Sequence, residues 1–485
     1  MQKKSGEQLI NTRRNKLDNL RKLNINPYPH SSERQQTTAE AKKMMDEQVV
    51  VTGRLMSLRG HGKLFFLDLV DESGKIQLMI SEKILGKEQY ELLNLLDIGD
   101  FVESGGKVVK TVAGEISVQS ESLKILAKSL RPFPASWHGF KNVDERYRKR
   151  YVDFIMNPQS KKVIETRSKI VSEVRKILES KGFIEVETPT LQPVYGGANA
   201  RPFTTHYNAL KRDFYLKISD ELYLKRLIVG GFEKVYEIDH DFRNEGIDAT
   251  HNPEFTMMEC YWAYADYNDM MNLTEEIYSK VANSILGTTK VHYNGHDIDL
   301  KVPWERMTMA DAIKKYLKID VAKLTDQELK EEVKKRNIEI GKRGSTFNRG
   351  LTIASLFELV EPNLVGPIFI TDFPKETTSL CKIHRENEDL IERFEPYIGG
   401  KEVGNAYTEL NDPDLQRHFF EEEVTAKEGG SEETHPLDND FLEAMEYGMP
   451  PTGGLGLGID RMVMVMTGMD SIRNVIAFPM LKDKK

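Results

Sequence analysis

The sequence predicts an α+β chain in two parts, a small β-barrel followed by a larger domain of mixed strands and helices. Three observations lead there. Five short segments of strand character succeed one another between Val49 and Leu126. A Pro-rich stretch, Arg131-Pro132-Phe133-Pro134, interrupts that pattern. Beyond it, Ser160–Ser180 carries apolar residues at helical spacing, and strands and turns dominate from Ile184 to Tyr264.

Length and composition set the outer limits. At about 150 residues per domain, 485 residues make two to four domains. No run approaches the ~18 apolar residues of a membrane span, and the polar Met1–Asn11 segment lacks the apolar stretch of a secretory signal. The expectation is a soluble, cytoplasmic protein with no membrane partner. Two cysteines, Cys260 and Cys381, supply neither a disulfide framework nor a four-thiolate zinc site. The net charge of −8 hides an asymmetry: residues 1–150 carry 26 Lys+Arg against 19 Asp+Glu, and the rest of the chain is acidic. A basic front end fits either a polyanion-binding module or a solvated surface.

In chain order, residues 6–23 place Leu9, Ile10, Leu17, Leu20 and Leu23 among Arg and Lys, an amphipathic helix with a basic outer face. Strands follow at Val49–Met56, Phe65–Val70, Ile76–Ile80, Phe101–Val109 and Ile116–Leu126, with Glu72-Ser73-Gly74 as a tight turn and Ser81–Leu96 as a helical stretch. Five strands with a helix between the third and fourth fit an oligonucleotide-binding (OB) barrel, among other small barrels. Residues 1–130 thus form the first domain and 131–150 a linker containing the cationic run Arg146–Arg150. Residues 151–485 form the second, with a helical insertion at about 267–361 and an acidic loop around Glu421–Glu433. Its first helix carries Val163, Ile164, Ile170, Val171, Val174, Ile177 and Leu178, and Gly182 is placed to stop it.

Two segments carry chemistry. Gly453-Gly454-Leu455-Gly456-Leu457-Gly458 runs into Ile459-Asp460-Arg461 as a glycine-rich turn opening a helix, which can bring backbone N–H groups to phosphate or merely allow tight packing. It is neither a dinucleotide fingerprint nor a P-loop. Phe242-Arg243-Asn244-Glu245-Gly246 and His251 to Glu259 read as a hairpin with a long polar loop, presenting Arg243, Glu245, His251 and Phe255 around one mouth. An Arg clamps phosphate, a carboxylate accepts from an exocyclic amine, and an aromatic stacks on a base. Together they make a nucleotide site.

Gly182 to Pro189 after the long helix, the Phe242–Glu245 hairpin and the Gly454–Arg461 helix resemble the three ordered motifs of class II aminoacyl-tRNA synthetases. The barrel in front narrows the resemblance to the subclass charging lysine, aspartate or asparagine. Gly196-Gly197-Ala198, Glu221 to Arg226, Arg243 to Tyr261 and Phe394 to Asn405 look like its lysine-specific members. The resemblance implies an antiparallel sheet flanked by helices and a homodimer, with the Ser160–Ser180 helix across its axis; periodicity alone favours an ordinary core helix within one subunit. It also implies ligation of L-lysine to tRNA(Lys) through lysyl-adenylate, with ATP as co-substrate and Mg²⁺ as cofactor.

By that resemblance Arg243 holds the α-phosphate and the substrate carboxylate, and Glu245 reads the adenine amine. His251 and Asn252 lie along the phosphates, Phe255 and Arg461 cover the two adenine faces, and Glu395 and Glu402 hold Mg²⁺. Gly399-Gly400 between those glutamates argues for a turn rather than a helix face. Glu259 and Glu409 take the lysine ammonium, with Tyr261, Asn405 and Tyr407 around the side chain and Gly197 and Glu221 at the α-amino end. Arg59, Phe66, Gln77 and Glu115 match anticodon contacts; Phe65 and Phe66 point to opposite faces of their strand, so only one can meet RNA. An aspartate- or asparagine-specific relative would need a cationic pocket where this chain has Glu259 and Glu409. The intact barrel disfavours lysine ligation to a protein, and Arg243, Glu395, Glu402 and Arg461 disfavour an inactive paralogue.

Overall fold

A computed structural model of the chain describes residues 6–134, 140, 142–343, 346–428 and 436–483. The chain forms two compact units, Met1–Lys141 and Asn142–Lys485.

In the first unit, β1 (Gln48–His61), β2 (Leu64–Val70), β3 (Lys75–Ser81), β4 (Phe101–Lys110) and β5 (Ile116–Ala127) close a barrel in the order β1-β2-β3-β5-β4. All neighbours are antiparallel except β3 and β5. Alternation does the work: Val49, Val51 and Leu55 of β1, Leu67 and Leu69 of β2, and Ile76, Leu78 and Ile80 of β3 all turn inward. The Gly6–Lys22 helix sits against the barrel through Leu17 and Leu20. Its basic face is not wholly outward. Arg13 is buried, donating to the carbonyls of Ile98 (3.0 Å) and Ser129 (3.2 Å), and Lys16 pairs with Asp97 at 2.9 Å. Leu9 and Leu23, expected on the apolar stripe, are exposed because the barrel contact is only two turns long.

The second unit is built on one mixed sheet. Its strands are β6 (Ile184–Glu185), β10 (Lys234–Phe242), β11 (Glu254–Ala263), β14 (Glu305–Thr308), β17 (Ile368–Pro374), β18 (Leu390–Ile398), β20 (Gly404–Thr408) and β21 (Thr452–Gly458). They run β14-β17-β18-β20-β21-β11-β10-β6, with β19 (Lys401–Glu402) paired to β18. The interior is antiparallel; only the outermost pairs, β14 with β17 and β6 with β10, are parallel. Three small sheets complete the inventory among the described residues: β7 (Leu191–Gln192), β8 (Thr204–Tyr207) and β9 (Arg212–Leu216); β12 (Lys290–Tyr293) with β13 (His296–Asp299); and β15 (Lys342–Arg343) with β16 (Thr346–Phe347).

The Pro158–Ser180 helix ends before Gly182, whose φ of +84° suits glycine. Val163, Ile170, Val174, Ile177 and Leu178 lie in the chain's own core, with the Tyr267–Leu286 helix. Residues 267–361 contribute to two cores: Tyr267–Leu286 belongs to the main one, whereas Met309 to Val360 pack as a separate cluster against β17 and β18. Residues 142–150 fold with the second unit instead of forming an open linker. Val143–Arg148 and Arg150–Met156 are helical, and buried Arg150 and half-buried Arg146 both pair with buried Asp153, at 2.8 and 2.9 Å. Part of the expected acidic loop, Glu421 to Glu428, is helical within Pro413–Glu428, and 429–433 lie outside the described residues. Among the described residues no helix is long and apolar enough to cross a membrane.

Candidate functional site

Strand register builds the site. Met257, Glu259 and Tyr261 on β11 stand opposite Gly458, Gly456 and Gly454 on β21, and Gly456 and Gly454 in turn face Asn405 and Tyr407 on β20. Period-two geometry therefore lays these side chains on one face of the sheet, with a lane of glycines between them. The glycine series is thus a strand, not the turn expected, and the helix begins only at Ile459. Its glycines keep the lane open: a Cβ on Gly454 would meet the Glu409 carboxylate and the Tyr261 ring.

Above this floor lies a cavity of about 370 Å³. Every residue expected at the nucleotide and amino-acid sites lines it: Arg243, Glu245, His251, Asn252, Phe255, Glu395, Glu402 and Arg461, and Gly197, Glu221, Glu259, Tyr261, Asn405, Tyr407 and Glu409. β10 and β11 form the expected hairpin, and their loop supplies Arg243 to Pro253. Arg243 has its guanidinium 5.0 Å from the centre of the Phe255 ring. His251 is exposed and tied to Asp248 at 2.8 Å. Asn252 is a wall: its Nδ2 donates to Glu254 O (2.6 Å) and its Oδ1 accepts from Met480 N (3.2 Å).

Glu395 and Glu402 flank a tight β18–β19 hairpin whose Gly399 and Gly400 have φ of +63° and +74°. Glu395 accepts from Arg393 (2.5 Å) and the Tyr397 hydroxyl (2.7 Å), and Glu402 pairs with Arg461 at 2.9 Å. Burial raises Glu395 above the usual carboxylate range, Arg393 opposing it and Glu402 adding to it. Among the described residues no three His, Cys, Asp or Glu side chains gather in a metal-holding group. Two cavity carboxylates with phosphate oxygens and water to complete the shell suit Mg²⁺.

The other end is acidic and buried. Glu259 accepts from Ser219 Oγ (2.8 Å), the Asp220 amide (3.3 Å) and the Tyr261 hydroxyl (3.3 Å). Burial, reinforced by Asp220, Asp241 and Glu221, holds its carboxyl well above the usual range. Burial likewise pushes Glu409 up to about 8, against the pull of Lys225. Arg393 Nε donates to Asn405 Oδ1 (3.0 Å), and Asn405 Nδ2 to the Tyr407 hydroxyl (2.5 Å).

Sequence reasoning missed three features here. Glu221–Val229 is a helix inside a region expected to be strands and turns, because Leu222 and Leu224 mimic strand alternation. Lys225 on that helix is buried between Glu221 and Glu409. Arg393 lines the cavity; its alternation with Glu395 was the available signal.

On the barrel, Arg59 is paired in register with Phe66, and Asp68 with Gln77. Arg59 donates to Asp68 (3.2 Å) and Ser117 Oγ to Gln77 Oε1 (2.9 Å). Phe65 packs on the barrel core and edge-on to Tyr90, whereas Phe66, half-buried, lies on the opposite face of β2. Glu115 is exposed just before β5, two residues from Ser117.

The family model described as tRNA synthetases class II (D, K and N) matches residues 142–482, and the OB-fold nucleic acid binding domain model, tRNA_anti-codon, matches 49–126. The chain is 50% identical to the lysine–tRNA ligase of Pelotomaculum thermopropionicum over 99% of its own length and 96% of the relative's. It is 49% identical to that of Moorella thermoacetica over 98% of both chains, and 48% identical to that of Clostridium novyi over 98% and 95%. The order of the two domains, the register-built cavity and these matches agree: the chain belongs to the class II tRNA synthetases of the D, K and N group.

Proposed function

We propose that the chain ligates L-lysine to tRNA(Lys) through lysyl-adenylate, releasing AMP and diphosphate, and that it acts as a cytoplasmic homodimer. The observation that carries the lysine assignment is the acidic end of the cavity, where Glu221, Glu259 and Glu409 are all buried. Glu221 and Glu409 share one cation, Lys225, and Glu259 meets none among the described residues; buried carboxylates short of cations are costly, so such an end favours a ligand that brings ammonium groups. The relatives' name, lysine–tRNA ligase, supports the same assignment.

The lysine carboxylate attacks the α-phosphate of ATP. It is ionised at neutral pH, so the reaction asks for positioning and charge stabilisation rather than a base. Arg243 neutralises the charge gathering on the α-phosphate and orients the attacking carboxylate. Phe255 and Arg461 hold the adenine between them, Glu245 accepts from its amine, and His251 and Asn252 border the phosphates. Mg²⁺ held by Glu395 and Glu402 would neutralise phosphate charge. Tyr261, Asn405 and Tyr407 wall the lysine side chain, with Gly197 at the α-amino end. In the second step the tRNA's terminal ribose hydroxyl takes the lysyl group and AMP departs. Arg59, Phe66, Gln77 and Glu115 contact the anticodon.

Charging assays with tRNA(Lys), ATP and each of lysine, aspartate and asparagine test this. Lysine alone should be esterified, with one AMP released per lysyl-tRNA; esterification of aspartate or asparagine in its place would refute it.

A further inference from the structure

Among the described residues, three carboxylates line the inner end of the cavity and one cation, Lys225, reaches them, while Asp220 and Asp241 are buried behind Glu259 without lining the cavity. Glu221, Glu259 and Glu409 are 4%, 6% and 0% exposed. Lys225, itself fully buried, reaches Glu221 Oε1 and Glu409 Oε2, both at 2.5 Å. Glu221 and Lys225 stand one helical turn apart, so the pair is set by the helix and then shared with β20's neighbour Glu409. Among the described residues, Glu259 touches only neutral donors. Among the described residues, Glu409 Oε1 has no hydrogen-bond partner, though it is buried at the cavity wall. The three lining carboxylates are therefore two cations short of balance.

Taking the cavity as a lysine site, we propose that Lys225 is a specificity-determining residue: its ammonium answers one of three buried carboxylates and so fixes at two the number of ammonium groups the pocket accepts. L-Lysine brings two, at its α-carbon and at the end of its side chain, while its carboxylate lies toward Arg243. An amino acid with one ammonium leaves a buried carboxylate unanswered, and the penalty falls on binding. Burial would lower the Lys225 pKa, yet Glu221 and Glu409 hold it above its ordinary value, so the cation is permanent. Lys225 does not line the cavity. It acts through the carboxylates it holds.

Lys225→Met keeps the volume and removes the charge. Glu221 and Glu409 then cannot both stay ionised, and the protonated one no longer answers an ammonium. In lysine-dependent pyrophosphate exchange this variant should raise the lysine KM about tenfold or more and leave the ATP KM within about twofold, magnitudes in keeping with a lost buried charge partner. Glu409→Gln alone should also raise the lysine KM. The double variant Lys225→Met/Glu409→Gln restores two carboxylates for two ammoniums and should show a lower lysine KM than Glu409→Gln alone. A purely structural role predicts the opposite, effects that multiply. The proposal is overturned if the Met variant stays within about threefold of the parent lysine KM, or if the double variant is no better than Glu409→Gln. The second comparison stands even where Lys225→Met alone does not fold. Absence of lysine-dependent exchange in the parent protein would instead defeat the lysine assignment itself.

Discussion

Glu259→Gln separates binding from stability with opposite signs. The carboxylate is 6% exposed and is met by a hydroxyl, an amide and a phenol, with no cationic side chain in contact among the described residues. Gln keeps the shape and an accepting oxygen but removes the charge that an ammonium would answer. Losing one partner of a buried, hydrogen-bonded charge pair costs ~2–5 kcal/mol. Because Gln keeps an acceptor, the lower part of that range, about 2–4 kcal/mol, applies, which is roughly a 30- to 1000-fold rise in lysine KM at 1.4 kcal/mol per tenfold. The empty protein should respond the other way. Burial already holds Glu259 well above the usual carboxylate range, so a neutral isostere relieves a cost and leaves the Tm unchanged or raised. Lysine titrations in pyrophosphate exchange, with thermal melts of the lysine-free variant, read both. A lysine KM within about threefold of the parent, or a clear loss of Tm without lysine, would refute the reasoning.

Raising the pH should strengthen lysine binding: Glu409 titrates at about 8, above its unfolded value, so its contribution to the stability of the empty protein is full below about pH 4.3 and is lost as pH rises through 8. Between pH 6 and 8 the lysine KM should fall and the Tm gained on adding lysine should grow; a KM that rises over that interval contradicts this. Phe66→Ala removes an aromatic from the outer face of β2 and should weaken tRNA charging by about 5- to 150-fold, the equivalent of ~1–3 kcal/mol of base stacking, while pyrophosphate exchange stays within about twofold. Equal losses in both assays would contradict the division of labour. Gly454→Ala drives a methyl group toward Glu409 and Tyr261 and should raise the lysine KM about tenfold or more, as a new clash in a packed site does. An unchanged KM would show that the glycine lane is not needed.

The barrel was legible because its strands are buried on one side only, so Val49, Val51 and Leu55 or Ile76, Leu78 and Ile80 alternate with outward residues. The Phe242–Glu254 loop and the Gly399-Gly400 turn were legible for a similar local reason, each lying within a single hairpin. Legibility failed where meaning depends on a distant partner. Lys225 has no assigned role in the sequence, and its meaning emerges only when Glu409 arrives beside it from another part of the chain. Arg146 and Arg150 read as a cationic run within a linker, and Asp153 with the carbonyl of Asn474 makes them structural. Gly453–Gly458 reads as a turn because glycines favour turns, whereas packing of Glu409 and Tyr261 over β21 is what requires them. The net charge of −8 by itself points away from nucleic acid; dividing it between a basic barrel end and an acidic remainder, rich in cavity carboxylates, reverses that inference.

Amino-acid-dependent exchange of labelled pyrophosphate into ATP, run with each of the twenty amino acids, tests the central claim most directly. Lysine should drive exchange at least ~10⁴-fold more efficiently than analogues and amino acids that lack its side-chain ammonium, since the buried carboxylates are otherwise left unpaired. Exchange driven by aspartate or asparagine but not by lysine would contradict it.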